Sequence, residues 1–195
     1  MNSSRAGKRD LHVASGKEQA IAVEILILAS LRQGPQHGYE LKKAIEGVRA
    51  DLFPLSNSVL YPALRRFEEM GAVEREVVRQ EGKPDRHLYR LTDRGIEVML
   101  ALLRDFPPEM ARQDGEFWVR ASFFDLLEPA ERLEILRARQ QALAQRAANV
   151  VRLRETQADG PGREWLRATL AFREQRFRQE LDWVIEAMQA QQRLL

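Results

Sequence analysis

The sequence predicts a mainly α-helical protein that carries one small β-hairpin. Three observations favour this fold class: apolar residues recur at helical spacing between residues 18 and 70, two short runs with alternating character follow Gly71, and helical periodicity resumes after them. The chain has 195 residues and 44% hydrophobic content, which is enough for one large domain or two small domains, each with its own core.

The composition excludes several classes of protein. The chain contains no cysteine, so disulfides, thiolate metal sites and cysteine nucleophiles are excluded. No apolar run approaches the roughly 20 residues of a membrane-spanning helix, and the first ten residues do not resemble a signal peptide. We therefore expect a cytoplasmic protein with no membrane partner. Because the net charge is only +2, an anionic partner has to be bound by cations gathered on one face.

The N-terminal part of the chain predicts an arm and two helices. Residues 1–17 are polar and lack periodicity, so we interpret them as a flexible arm. The segment "EQAIAVEILILASLRQG" is apolar almost all round and stops at Gly34-Pro35, which is typical of a buried helix. A short amphipathic helix follows in "HGYELKKAIEGV", with Lys42 and Lys43 opposite its apolar residues.

The stretch "SNSVLYPALRRFEEMG" predicts a third helix with two unlike faces. At about 100° per residue, one face gathers apolar residues that pack inward: Leu60, Ala63, Leu64 and Phe67. The other face is short, aromatic and cationic, and it contains Ser58, Tyr61, Pro62, Arg65 and, at the margin, Arg66. Ser56 or Ser58 can cap the first turn, where a proline is tolerated best.

The next elements complete a recognisable order. The runs "AVEREVVRQ" and "RHLYRLT", joined by "EGKPD", predict a hairpin whose tip bears Lys83 and Arg86, and a helix capped at Thr92 or Asp93 follows. Three helices, a hairpin and a helix form the plan of a winged helix-turn-helix domain, in which the third helix enters the DNA major groove. We assign residues 18–105 to this domain.

Residues 106–195 predict a second, α-helical domain. A helix starts at Glu128-Pro129, "DGPG" turns the chain, and a second helix returns antiparallel to the first. The last helix carries a coiled-coil-like apolar stripe: Leu166, Leu170, Phe177, Leu181, Val184 and Met188. One partner helix should not cover a stripe of that length fully, so we predict that it forms a dimer interface.

Three segments resemble the successive signatures of PadR-type transcriptional regulators: "ILILASLRQGPQHGYELKKAIE", "SVLYPALRRFEEMGAVE" and "EGKPDRHLYRLTDRG". The resemblance covers roughly residues 21–100. It implies a homodimer that binds a pseudo-palindromic operator in double-stranded DNA, usually as a repressor, and that releases DNA when a small molecule binds. It also implies that Ser56–Met70 is the recognition helix and Val77–Leu91 the wing. The sequence departs from the family pattern at Asn57-Ser58-Val59.

The pattern and the resemblance together give a set of candidate DNA contacts: Tyr39, Lys42, Lys43, Ser56, Asn57, Ser58, Tyr61, Arg65, Arg66, Lys83 and Arg86. An arginine in this set could take a guanine edge, hold a phosphate or pair on a solvated helix face. Lys42 and Lys43 are equally compatible with solvent and with phosphate. We interpret Tyr39 as a packing residue whose hydroxyl reaches DNA.

No pattern of catalytic or metal-binding residues emerges. His12, His37 and His87 are scattered, and the sequence has no phosphate loop or nucleophile elbow, so we expect neither an enzyme nor a cofactor. Trp118 is the best candidate to stack on a small, planar or aromatic effector, although a tryptophan in such helices is more often part of a core. A protein-interaction module is the alternative function, since winged helices also serve as docking domains.

Overall fold

The computed structural model describes residues 21–49, 55–79, 86–158 and 160–195. The arm predicted for residues 1–17 lies outside the described residues, as does Lys83. The main elements, in chain order, are α1 (Ile21–Leu31), β1 (Gln36–His37), α2 (Gly38–Arg49), α3 (Asn57–Glu69), β2 (Val73–Val78), β3 (Arg86–Leu91), α4 (Asp93–Arg104), α5 (Asp114–Ala121), α6 (Pro129–Gln157) and α7 (Glu164–Gln192). The predicted fold class, mainly α with a small β wing, is confirmed.

Helix α1 forms the centre of the N-terminal core. Its residues are buried except for the half-buried Glu24 and Ser30, as the continuous apolar sequence predicted. It packs against α2, α4 and α5. Because every side of α1 meets another element, its sequence does not need the polar face that a surface helix has.

Helix α3 has the two faces that its periodicity predicted. Its inward residues are at most 1% exposed: Leu60, Ala63, Leu64 and Phe67. The helix ends in a Schellman motif, in which the Gly71 N–H donates to the Glu68 carbonyl at 3.0 Å and the Ala72 N–H donates to the Phe67 carbonyl at 2.8 Å. Gly71 has φ of +68°, a conformation that favours glycine.

The start of α3 differs from the prediction. Ser56 occupies the cap position, but its side chain accepts no backbone N–H. Its hydroxyl instead lies 2.7 Å from the Ser58 hydroxyl, and both residues are exposed. Ser56 is therefore the cap residue, as predicted, but it makes no side-chain capping bond, and both hydroxyls are presented at the surface.

The wing is part of a three-stranded antiparallel sheet with the order β1-β3-β2. Strands β2 and β3 pair from Val73↔Leu91 to Val78↔Arg86, so the wing begins at Val73, four residues before the predicted start at Val77. Strand β1 was not predicted, because two residues are too few to show alternation. It joins the sheet through Gln36↔Tyr89 and His37↔Leu88.

Helix α4 is fastened closely to the sheet. The Thr92 hydroxyl accepts a hydrogen bond from the Gly95 N–H at 3.0 Å, which confirms Thr92 as the cap. The same hydroxyl donates to the Gly71 carbonyl at 2.7 Å. A Cβ on Gly95 would lie 2.2 Å from the Ala72 carbonyl oxygen, so only glycine allows this approach of α4.

A buried ion pair within α5 bonds this helix to α1 and α4. The Glu116 carboxylate accepts from the Ala22 N–H at 3.1 and 3.2 Å, at the start of α1. The Arg120 guanidinium donates to Glu116 at 2.5 Å and to the carbonyls of Leu102 and Asp105 at 3.3 and 3.1 Å, at the end of α4. Both side chains are at most 2% exposed, and one apolar core continues from α1 into α6 and α7.

Helices α6 and α7 form the predicted antiparallel pair. Arg132 near the start of α6 donates to Gln191 at 3.0 Å, whereas Arg154 near its end donates to Glu174 at 2.7 Å. Between them, the fully buried Arg139 donates to Glu180 at 2.7 Å.

The prediction that the α7 stripe stays uncovered is wrong for its central residues. Leu170, Phe177 and Val184 are at most 8% exposed within the single chain, where they join the apolar core and α7 packs against α6. Leu181 and Met188 are partly buried against the same core, and Leu166 is 38% exposed. Among the other large apolar side chains of α7, Trp165 and Phe172 are the most exposed, by 86% and 61%, and Trp183 is 42% exposed.

Across the described ranges, no helix combines the length and the apolar character that crossing a membrane requires.

Candidate nucleic-acid interface

The outward face of α3 is the first component of the candidate interface. Residues predicted to contact DNA lie along it, and all are exposed: Ser56, Asn57, Ser58, Tyr61 and Arg65. The burial of the opposite face fixes the helix, so these side chains are presented by a rigid element. Hydroxyls, an amide and a guanidinium can bond base edges as well as phosphates.

Tyr61 is positioned by its contact with Gly38, the first residue of α2. A Cβ added to Gly38 would meet the Tyr61 ring at 3.0 Å from Cε1 and 3.1 Å from the hydroxyl oxygen. Glycine therefore lets the ring lie directly on the backbone of α2. The ring is still 43% exposed, so Tyr61 connects two helices while it faces solvent.

The adjacent arginines Arg65 and Arg66 have different surroundings. Arg65 is exposed, and within the described part of the chain it forms no ion pair with Glu69, the partner that helical spacing would offer. Arg66 pairs with Glu24 of α1, so a carboxylate already compensates its charge. The structure therefore distinguishes an outward cation from one that holds α3 against α1.

The candidate residues on α2 also differ from one another. Lys42 forms a pair with Glu46 at 3.7 Å, whereas Lys43 is exposed. An exposed pair at this spacing contributes little stability, so Lys42 can exchange its partner readily. Tyr39 is 60% exposed, and the packing role predicted for it is wrong.

A cleft of about 230 Å³ brings the start of α2, the outward face of α3 and strand β3 together. Its lining contains three of the predicted residues and four that the sequence did not single out for DNA: Tyr39, Tyr61 and Arg86, with His37, Gly38, His87 and Tyr89. The pairing of β1 with β3 creates this arrangement, because it places His37 opposite Leu88 of β3. No local pattern could indicate contacts between residues so far apart in sequence.

Hydrogen bonds fix the polar groups of this cleft. His37 Nδ1 lies 3.0 Å from the His87 carbonyl oxygen, which can only accept, so Nδ1 carries the hydrogen. The His37 N–H donates to Glu40 at 3.0 Å, and this backbone bond is the main cause that lowers the pKa of the Glu40 carboxyl. Burial raises the pKa of Tyr89, so its hydroxyl stays protonated at neutral pH.

Trp118, the candidate effector contact, lies in an aromatic cluster rather than on an open surface. Its ring centroid is 5.0 Å from that of Phe117 and 5.2 Å from that of Trp183 on α7. Trp118 therefore packs where α5 meets the last helix. In the described ranges, no group of three or more histidine, aspartate or glutamate residues is arranged to hold a metal ion.

Comparisons with known proteins place the N-terminal half in a family. Residues 27–101 match the model of the transcriptional regulator PadR-like family. The negative transcriptional regulator PadR of Bacillus subtilis (strain 168) is 24% identical over 111 residues, which cover 57% of this chain. The aligned part spans 61% of the length of that relative, less than two thirds.

Two similar solved structures have related descriptions. The crystal structure of Bacillus subtilis PadR in complex with operator DNA is 18% identical, covers 87% of this chain and 98% of its own, and gives a TM-score of 0.42. The crystal structure of a PadR family transcriptional regulator from Eggerthella lenta DSM 2243 is 32% identical, with coverages of 42% and 68% and a TM-score of 0.36. Residues 27–101, which include all but the first two residues of the three sequence motifs, therefore belong to the PadR-like family of transcriptional regulators.

Proposed function

We propose that the protein is a homodimeric repressor that binds a pseudo-palindromic DNA operator, with α3 in the major groove and the wing on the flanking backbone. The observation that carries this proposal is the outward face of α3, where exposed hydroxyl, amide and guanidinium groups stand on a helix whose other face is buried. A helix of this kind fits the major groove, whose base edges offer matching acceptors and donors.

The individual side chains suit different tasks. Arg65 can bond a guanine edge through two N–H groups, whereas Asn57 can bond adenine in the same manner. Ser56, Ser58 and Tyr61 suit phosphates or sugars, which fix the register of the protein on the duplex. Arg86 at the start of β3 suits the backbone beside the groove.

Dimerisation is supported by the exposed apolar side chains of α7. Trp165 and Phe172 are seven residues apart, so they lie on one face of the helix, and solvent is a costly environment for both. We propose that a second copy covers them. Two recognition helices held about 34 Å apart would then read half-sites one helical turn apart.

Negative regulation is supported by the name of the Bacillus subtilis relative, a negative transcriptional regulator. Release by a small effector is supported by the position of Trp118. Trp118 lies on α5, the helix whose Glu116–Arg120 pair bonds α1 and α4. Its ring also packs against Trp183 of α7. A planar molecule inserted between the two indole rings would displace α5 and, through it, the DNA-binding elements. Location in the cytoplasm remains a prediction.

Titration of fluorescent duplexes tests the proposed function. Fragments of the upstream region of the protein's own gene are compared with scrambled duplexes of equal length at two salt concentrations. We expect at least about 1,000-fold tighter binding to one fragment, because specific sites exceed random DNA by that factor or more. Equal, weak binding to every duplex would reject the proposal and favour the docking-module alternative.

A further inference from the structure

We propose that Arg139 of α6 is a positioning residue, which holds the winged helix elements α1 to α4 at one fixed angle on the α6–α7 pair and thereby selects the spacing between the half-sites of the operator. This inference rests on the proposed function, because half-site spacing matters only to a homodimer bound to DNA. Arg139 lies outside residues 27–101, which match the family model, and outside the three sequence motifs.

Helix α5 is bonded to the winged helix elements. Its Glu116–Arg120 pair bonds the start of α1 and the end of α4. Helix α3 is tied to α1 in turn, since Arg66 pairs with Glu24. Whatever fixes α5 on α6 and α7 therefore also fixes the direction in which α3 points.

Arg139 fixes α5 on the C-terminal helices. Its side chain is fully buried. The guanidinium donates to the Ala111 carbonyl oxygen just before α5, to the Asp114 carboxylate in the first turn of α5 and to the Glu180 carboxylate of α7, each at 2.7 Å. Its central carbon lies 4.9 Å from the ring centroid of Phe117, also on α5. Because a guanidinium is planar and its N–H groups have fixed directions, these contacts together favour one arrangement of the three helices.

Arg146 reinforces this arrangement further along α6. It donates to the same Asp114 carboxylate at 2.7 Å and to the Arg112 carbonyl oxygen at 3.2 Å. Arg139 and Arg146 are seven residues apart, so they lie on one side of the helix and are separated by about 10 Å. The start of α5 is therefore held from two points of α6, which resists its rotation about either of them.

The bonds of Arg139 are better suited to setting an angle than to adding stability. A buried guanidinium loses its hydration, and apolar residues of similar size often give the same stability or more. The packing of Phe117 and Trp118 on Trp183, at 6.2 and 5.2 Å between ring centroids, has no such directional preference. Tilting α5 would leave the charge of Arg139 buried without its partners, so departures from the bonded angle are costly.

A second ion pair between the winged helix and α6 is less restrictive. Arg104 at the end of α4 pairs with Glu131 of α6 at 2.6 Å. Both side chains are partly exposed, and exposed ion pairs contribute only about 0–1 kcal/mol. Water can replace either partner, so this pair permits angles that the buried arginine does not.

The angle of α3 determines which operators fit the dimer. One base pair added between two half-sites moves them about 3.4 Å further apart and turns one relative to the other by about 35°. A dimer with fixed winged helices cannot follow this change, so it loses contacts with one half-site. A dimer whose winged helices tilt freely follows it more closely.

Distances between spin labels test the fixed angle directly. The chain contains no cysteine, so Glu69→Cys on α3 and Ala148→Cys on α6, both at exposed positions, give two labelled sites. Double electron–electron resonance on the whole chain, diluted with unlabelled chain, then reports one intrachain distance. We expect a narrow distribution when Arg139 is present. Arg139→Met or Asp114→Ala should make it at least about twice as wide, because elements released from such bonds move as hinged bodies.

Duplexes with altered spacing test the consequence for DNA. The probe is the upstream fragment that the protein binds, with none, one or two base pairs inserted between its half-sites. The unmodified protein should bind the lengthened duplexes at least about tenfold more weakly, and the two variants at most about threefold more weakly, than the original duplex. Binding to a duplex with a single half-site should stay within about twofold in every case, because the outward face of α3 is unchanged.

Controls separate positioning from folding. Arg137→Met removes an exposed arginine from the same helix, and it should keep both the narrow distribution and the full spacing preference. Circular dichroism should show unchanged helix content in each variant. If Arg139→Met loses helix content, Asp114→Ala decides the test, since the Asp114 side chain is 45% exposed and is easier to replace.

The outcomes have different meanings. Unchanged distributions in Arg139→Met and Asp114→Ala would overturn the positioning role. Wider distributions with an unchanged spacing preference would overturn the selection of spacing. Absence of specific binding by the unmodified protein would instead reject the proposed function, while the spin-label distances would still show whether Arg139 holds the angle.

Discussion

Replacing Gly38 with alanine should weaken operator binding without unfolding the protein. The new Cβ would lie 3.0 Å from Cε1 and 3.1 Å from the hydroxyl oxygen of Tyr61, whereas carbon atoms in contact normally stay about 3.5–4.0 Å apart. The Tyr61 ring must therefore move by about 0.5 Å. Its exposed end is free to do so, and the backbone of Gly38 has no positive φ that alanine would strain.

The expected loss follows from the hydrogen bond that we propose Tyr61 makes to DNA. A hydrogen bond to a charged group contributes about 1.5–3 kcal/mol, and a displacement of this size should remove about 1 kcal/mol of it. The Kd would then rise about fivefold. Anisotropy titration of a labelled operator measures this change, and urea denaturation should show that the free energy of unfolding stays within about 1 kcal/mol.

Gly47 supplies the matched control, because it lies in the same helix and an added Cβ meets nothing within 4 Å. Gly47→Ala should keep the original Kd. In a Tyr61→Phe background, Gly38→Ala should cause little further loss, since the hydroxyl is already absent. Equal Kd values for the Gly38 and Gly47 variants, or the full fivefold effect without the Tyr61 hydroxyl, would refute the reasoning.

Four further predictions concern the fold, the reading face and the dimer. Gly95→Ala should lower the free energy of unfolding in a urea titration by about 3 kcal/mol, because its Cβ would lie 2.2 Å from a carbonyl oxygen; a loss below about 1 kcal/mol would contradict the close approach of α4. Arg65→Ala should weaken operator binding by about 1–3 kcal/mol while circular dichroism stays unchanged, and normal affinity would move the reading face elsewhere. Although burial alone would raise the pKa of Asp114, hydrogen bonds from Arg139 and Arg146 hold it below its ordinary value. Asp114→Asn should therefore be less stable than the unmodified protein above about pH 4, and the difference should shrink as the pH falls further; a difference that grows in acid would contradict this sign. Phe172→Glu should raise the dimer dissociation constant at least tenfold, by about 1.5–3 kcal/mol, and light scattering that still reports the original mass at low micromolar concentration would reject this interface.

The sequence predicted those parts of the fold that local periodicity controls. The inward face of α3 was predicted from a spacing of about 100° per residue and is confirmed. Four apolar residues on one side of a helix determine which side packs against the core. The buried character of α1 was predicted for a similar reason. Thr92 was predicted as a cap from its position before an apolar periodic run, and its side chain makes the expected bond.

The parts that the sequence did not predict depend on contacts between distant residues. Strand β1 exists only because it pairs with β3, about 50 residues further along the chain, and the cleft beside it has the same origin. Arg66 could not be separated from Arg65 by spacing alone, since its partner Glu24 belongs to another helix. The central residues of the α7 stripe are likewise buried by contacts with other elements of the same chain, which a single-helix pattern does not contain.

The bonds that Glu116 and Arg120 make determine where the winged helix domain can be separated from the rest of the protein. A fragment that ends at Asp105 would leave the Ala22 N–H of α1 and the carbonyls of Leu102 and Asp105 at the end of α4 without the side chains that bond them. It would also uncover the side of α1 that packs against α5. A chimera that contains the winged helix domain should therefore be cut after Leu127, so that it keeps α5 and the bonds from α5 to the start of α1 and the end of α4.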